Sequence, residues 1–253
     1  MTDAERWFPY RPDDAPVRLY CLPHAGGSAS AFRSWLGAVP GLAVCPVQPP
    51  GREGRHREQP YAHMRDLVRD LAPAVLADVA GAGGGPYAVY GHSLGAMTAF
   101  ELVREIDALG GPRPVHLLVS GCGAPPLCGG LEGLRPIRDM SLEEIAGLLR
   151  RLGGTPEWLL ANQALLAMVV TPFRADFTVK ENYRYVPGDP LDVPVTALAA
   201  TDDPRASVAD TAAWEAHTRA GFTLRTLLGG HFAALEQPDL THKHIAAALQ
   251  PWL

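Results

Sequence analysis

Six short, nearly continuous hydrophobic runs recur along the chain: RLYCLP (18–23), LAVCPVQ (42–48), YAVYG (87–91), VHLLVSG (115–121), VPVTALAA (193–200) and FTLRTLL (222–228). Runs this short, bounded by turn residues, predict β-strands buried on both faces. Between them the apolar residues recur at three- and four-residue steps. Met64, Leu67, Val68, Leu71, Val75 and Val79 mark one helix, in which Pro73 should introduce a kink. Met97, Phe100, Val103 and Ile106 mark another, stopping near Gly110 and Gly111. Strand, helix, strand, helix in this order predicts an α/β fold: a mostly parallel sheet with helices on both faces.

One region breaks the alternation, because about seventy residues separate the run ending at Gly121 from the one near Val193. A structureless loop of that length is improbable, and the segment carries helix signals. Ser141 with Glu144 forms a capping box, and Thr155-Pro156 and Thr171-Pro172 each set an N-cap before a first-turn proline. The expectation is a single domain over residues 1–253 with a helical insertion over 124–188. The insertion's apolar residues, among them Leu149, Leu152, Trp158, Met168, Val169, Phe173 and Phe177, either pack it onto the domain or line an apolar channel.

Composition narrows the class. The 253 residues are 47% hydrophobic and 19% charged, enough to bury a large core. No apolar run reaches the roughly 18 residues of a membrane span, and the N-terminal MTDAERWFPYRPDD is charged where a secretory signal would be apolar. A soluble cytoplasmic protein is expected. With a formal charge of −5 there is no basic footprint for nucleic acid; the one basic stretch, Arg52, Arg55, His56 and Arg57, reads equally as a solvated loop or a docking site for acidic partners. Cys21, Cys45, Cys122 and Cys128 have no CxxC spacing and read as small buried hydrophobes. His242 and His244 are two apart and face different ways on a helix, so neither metal nor cofactor is implied.

The chemistry centres on Gly91-His92-Ser93-Leu94-Gly95, a G-x-S-x-G after a strand and before an amphipathic helix. Small residues two before and two after the serine let the strand turn sharply into the helix, which lifts the hydroxyl to the sheet edge. That makes Ser93 the candidate nucleophile. A serine hydroxyl needs a histidine base and an acid to orient it, and on this kind of sheet they follow in the order acid, then histidine. His217, His242 and His244 lie in helical patterns, whereas His231 follows FTLRTLL behind two glycines and is the candidate base. The acid comes from Thr201-Asp202-Asp203-Pro204. Either aspartate is in reach; Pro204 biases Asp203 toward an extended backbone and favours it, while Asp202 suits a turn cap. The oxyanion of an acyl-transfer intermediate needs two backbone N–H donors, for which Leu94 and Ala25, in the loop His24-Ala25-Gly26-Gly27, are the candidates. His24 is then a residue that orders the loop by hydrogen bonding. The glycines of GAGGGP (81–86) precede a strand and form a turn, not a phosphate cradle.

Together, LPHAGGSAS (22–30), VQPPGREGR (47–55), YGHSLGA (90–96) and GGHF (229–232) resemble the stand-alone type II thioesterases of polyketide and nonribosomal peptide biosynthesis, on the α/β-hydrolase fold. The resemblance implies a Ser93–His231–Asp203 triad, an oxyanion hole at Ala25 and Leu94, and a helical lid over 124–188. It also implies a monomer acting on acyl or peptidyl groups of phosphopantetheinylated carrier proteins, clearing stalled or misprimed units. One departure is Ala200, where the acid loop of these enzymes carries glycine. Rival readings are a general carboxylesterase or medium-chain fatty acyl thioesterase, and a hydrolase-like binding protein without activity.

Overall fold

The computed structural model describes residues 3–10, 14–127 and 135–253. All six hydrophobic runs form strands: β1 (Val17–Leu22), β2 (Leu42–Pro46), β3 (Tyr87–His92), β4 (His116–Ser120), β5 (Val195–Ala200) and β6 (Phe222–Leu227). They make one sheet in the order β2-β1-β3-β4-β5-β6, and every pairing is parallel. Parallel neighbours require crossovers, and helices supply them. A short α1 (Asp3–Trp7) precedes the sheet, α2 (Met64–Gly81) links β2 to β3, and α3 (Leu94–Ala108) links β3 to β4.

The period of two along each strand explains why the runs are continuously apolar. Tyr20, Leu22, Val89, Leu117, Val119, Val195 and Ala197 face one core with α2 and α3, among Leu71, Val75, Met97 and Ile106. Leu19, Cys21, Ala88, Tyr90, Leu118, Leu198 and Ala200 face a second, closed by Phe32, Trp35, Ile245 and Leu249. Helix α2 carries Pro73 within it as one element. One expectation changes at this level. Strand β6 lies at the sheet's edge, so Arg225 and Thr226 are exposed and only Leu227 of the strand is buried.

Between β4 and β5 stand α4 (Leu142–Leu152), α5 (Glu157–Leu160) and α6 (Gln163–Asn182); residues 128–134 of the expected insertion lie outside the described residues. Ser141 and Glu144 close the capping box of α4 in both directions. The Thr-Pro pairs behave differently from expectation. Pro156, not Thr155, is the N-cap of α5. Thr171 and Pro172 lie inside α6, because Asn162 caps that helix by accepting from the amides of Ala164 and Leu165; the Thr171 hydroxyl turns back to the carbonyl of Ala167. These helices pack a cluster of their own, Ile145, Leu148, Leu149, Leu166, Val170, Phe173 and Phe177, while Trp158 and Met168 are exposed. Ala25 touches both this cluster and the α2–α3 core. After β5 come α7 (Val208–Ala212), then β6, α8 (Ala233–Glu236) and α9 (Pro238–Leu249).

Cys21 and Cys45 are free and buried, as their apolar settings suggest. Cys122 departs from that reading, being disulfide-bonded; Cys128 lies outside the described residues. Among the described residues no helix is long and apolar enough to cross a membrane. Removing the α4 cap with Ser141→Ala should cost about 1 kcal/mol of local stability. Hydrogen exchange should then quicken at the amides of α4 while those of β3 and β4 stay as protected as before.

Candidate active site

Ser93 stands alone between β3, which ends at His92, and α3, which begins at Leu94. The reversal is completed in that one residue, at φ 56° and ψ −117°, a conformation costly for a side chain with a Cβ. The flanking glycines make it sterically achievable. A Cβ on Gly91 would fall onto the carbonyl of Gly95, and one on Gly95 would fall onto the carbonyl of Leu22 at the end of β1. The Ser93 amide donates to the carbonyl of Ser120, at 2.8 Å, tying the turn to β4.

The loops after β5 and β6 bring two more side chains to the same edge. His231 Nε2 lies 3.1 Å from Ser93 Oγ, and His231 Nδ1 lies 3.0 and 2.9 Å from the two carboxylate oxygens of Asp203. The Asp203 side chain is fully buried and also accepts from the Arg205 amide at 2.8 Å. Asp202 is exposed, where its carboxylate accepts from the Thr201 hydroxyl. Ala200 is the last residue of β5 and is not among the positive-φ positions, so the loop does not require a glycine there. His217 packs among Phe100, Trp214 and Tyr185, and His242 stacks edge-on against Trp35. With Nδ1–H directed at the carboxylate, the Nε2 lone pair of His231 is set to take a proton from the hydroxyl.

After β1, the chain turns through His24–Gly27, with the Gly27 amide on the carbonyl of His24 at 2.9 Å and Gly26 at φ 78°. Among the described residues, neither the Ala25 amide nor the Leu94 amide donates to any protein group. The Gly26 amide is committed, donating to Asp176 Oδ2 at 2.7 Å. Asp176 belongs to α6 and is gripped by Arg52, whose Nη1 and Nη2 lie 2.5 and 2.7 Å from its two oxygens; Nη1 also donates to the Gly27 carbonyl at 2.8 Å. For Arg52 and Arg55 neither reading of the basic stretch holds, because both side chains are buried. Arg52 is buried in that ion pair; Arg55 is buried over the Trp7 ring and bonded to Glu58 and the Gln48 carbonyl. Only His56 and Arg57 of the four basic residues are exposed.

A cavity of about 70 Å³ opens beside Ser93 and His231, with Leu149, Leu152, Val169, Phe173, Phe177 and Phe232 among its walls. Three histidine rings, His24, His92 and His231, pack against Phe232. Burial, with the nearby charges of His231 and Arg52, pushes His24 down to about 4. Burial, with the other two histidines, holds His92 well below the usual imidazole value. His92 Nδ1 pairs with the Ser120 hydroxyl at 2.8 Å, which in turn meets Tyr90 at 2.6 Å. His24 differs from expectation: its Nδ1 is buried without a hydrogen-bond partner, so aromatic packing holds the ring. Asp176, Phe232 and His92 are the site's additions to the sequence reading. A lone acid between Phe173 and Phe177 on an otherwise apolar stripe was the available signal for Asp176.

A parallel sheet with a serine on a one-residue strand-to-helix turn, and a histidine and an aspartate on loops at the same edge, defines an α/β-hydrolase. Within that class the chain belongs to the thioesterase domain family, which matches residues 17–249. It is 36% identical to the linear gramicidin dehydrogenase LgrE of Brevibacillus parabrevis, the alignment covering 98% of this chain and 94% of that one. It is 38% identical to the thioesterase PikA5 of Streptomyces venezuelae, over 88% of this chain and 78% of that one. Among solved structures, the type II thioesterase BorB from the borrelidin biosynthetic cluster superimposes with a TM-score of 0.85 at 36% identity, covering 98% of this chain and 100% of that one.

The buried histidines set an acid limit on stability. His24 and His116, each held near 4, and His92, held well below its usual value, stay neutral in the folded chain, while the unfolded chain takes up protons at about 6.5. Above about pH 6.5 both states are neutral and nothing is lost; from there down through pH 4 protons favour the unfolded state. The melting temperature should therefore fall across that window, and fall less steeply in His116→Gln. A melting temperature that stayed level to pH 4 would contradict the burial of neutral histidines.

Proposed function

We propose that this chain hydrolyses acyl thioesters on the phosphopantetheine arm of acyl or peptidyl carrier proteins, and so clears stalled or misprimed groups from a polyketide or nonribosomal peptide assembly line. One observation carries the reading: the unbroken line Ser93–His231–Asp203 at the mouth of an apolar cavity, in a member of the thioesterase domain family. Relatives named for gramicidin S and borrelidin biosynthesis support the assembly-line context.

In this reading His231 Nε2 takes the Ser93 proton as Oγ bonds to the thioester carbonyl carbon, and Asp203 stabilises the imidazolium. The resulting oxyanion is held by the amides of Ala25 and Leu94, the latter also at the positive end of α3. The carbon–sulfur bond breaks and the thiol leaves with the proton from His231. Water, giving its proton to His231, then attacks the acyl-serine; the free acid departs and Ser93 recovers its proton. Residues 124–188 act as a lid whose inner wall, from Leu149 to Phe177, shapes the acyl chamber. Asp176 occupies the Gly26 amide, which leaves Ala25 as the donor this loop can offer.

Mass spectrometry of a panel of acyl-loaded carrier proteins should show release of free acid by the wild type. Ser93→Ala should lower that turnover by about four orders of magnitude or more, and near-normal release by the variant would end the assignment. A kcat/KM for acyl carrier protein no better than for a p-nitrophenyl ester would favour a general carboxylesterase.

Asp176→Asn keeps an acceptor for Gly26 but removes the charge that Arg52 needs. A loosened oxyanion loop should appear as a drop in kcat of about tenfold or more with little change in KM. A rise in KM alone would place Asp176 in acyl binding instead.

A further inference from the structure

Beside the nucleophile turn lies a buried row of polar side chains that the triad does not use. Tyr90 and His92 are two apart on β3 and share a face of the sheet, and the register sets His92 opposite Ser120, the last residue of β4. All three are fully buried. Ser120 Oγ meets Tyr90 Oη at 2.6 Å and His92 Nδ1 at 2.8 Å, while the Ser120 carbonyl accepts from the Ser93 amide at 2.8 Å. The His92 ring in turn packs against the ring of His231, with centroids 5.2 Å apart. Gly121, at φ 60°, makes room for both rings: a Cβ there would come to 2.5 Å from His92 Cε1 and 3.3 Å from His231 Cε1.

The available protons put this row in one order. Among the described residues the Tyr90 hydroxyl has no acceptor other than Ser120 Oγ, so the phenol proton goes there. The Ser120 proton then goes to His92 Nδ1, which leaves the His92 proton on Nε2. That Nε2 proton has no hydrogen-bond partner among the described residues, but with the His92 proton on Nδ1 instead, a hydroxyl proton and the Nε2 lone pair would both be stranded. His231 holds the opposite tautomer, with Nδ1–H on Asp203. A second proton on His92 would have to enter at Nδ1, against the Ser120 hydroxyl. The titratable neighbours of His92 are His231, His24 and Tyr90, and burial first, then the two histidines, oppose a charge on it.

Resting on the hydrolase reading, we infer that Ser120 is a positioning residue for the reaction: its carbonyl fixes the Ser93 turn, and its hydroxyl fixes an uncharged His92 ring against the base. The imidazolium that forms on His231 then has a neutral neighbour, where a second cation at that distance would oppose it. Ring position matters as well, because a small displacement of His231 would lengthen its contact with Ser93 Oγ.

Nitrogen NMR of histidine-labelled wild type reads the proton order directly. His92 should show a bare Nδ1 and a protonated Nε2, unchanged down to about pH 6. Tyr90→Phe removes the proton that orders the row and should leave His92 divided between its two tautomers. Ser120→Ala keeps the carbonyl and loses only the hydroxyl. It should lower kcat for butyryl-N-acetylcysteamine by about tenfold with little change in KM, and a thermal melt reports its folding.

A wild-type His92 carrying its proton on Nδ1 would overturn the proposal. So would a Ser120→Ala enzyme that melts lower yet keeps the wild-type kcat, since the row would then serve stability alone. The hydrolase reading survives both results; it falls, and this proposal with it, if the wild type releases no acid from the thioester.

Discussion

The structure turns on a backbone contact that admits no side chain. Gly95, in the first turn of α3, lies so close to the Leu22 carbonyl of β1 that no Cβ fits, and Gly91 lies in the same way against Gly95. That approach brings the start of α3 down onto the sheet beside β1, and it forces Ser93 into its positive φ. The loop carrying Ala25 begins directly after the same β1 residue, so one contact sets the distance between the serine and the loop opposite it. Strain at Ser93 persists because strand, helix and neighbouring loop all determine it.

The second constraint is electrostatic and joins three distant parts of the chain. Asp176 from α6 and Arg52 from the loop after β2 are both largely removed from water, where each alone would be costly. Their bidentate pairing, with the Gly26 amide and the Gly27 carbonyl as further partners, satisfies both groups. The helices between β4 and β5 are thus attached to the His24–Gly27 loop by a polar contact as well as by apolar packing through Ala25.

The sheet was legible in the sequence because strands buried on both faces are nearly continuous in apolar residues; Arg18 and Thr196 are isolated exceptions within them, and the edge strand β6 leaves Arg225 outside. The serine, histidine and aspartate were legible because their chemistry fixes both residue type and chain order. The choice between Asp202 and Asp203 needed coordinates: they are adjacent, and only backbone direction sends one inward. Thr171-Pro172 misled because Asn162 offers an earlier and stronger cap, after which α6 tolerates Pro172. The basic stretch misled for a different reason. Charge counted along the chain carries no information about burial, and the acid that neutralises Arg52 is 124 positions away.

The Arg52–Asp176 pair also bears on how this chain can be redesigned. The helices between β4 and β5 supply much of the wall of the cavity beside Ser93, yet one of them carries half of a buried ion pair whose other half lies in the loop after β2. A graft that replaced those helices without an acid at position 176 would leave the Arg52 guanidinium buried and uncompensated. The cavity wall and the distant loop are in that sense a single replaceable part.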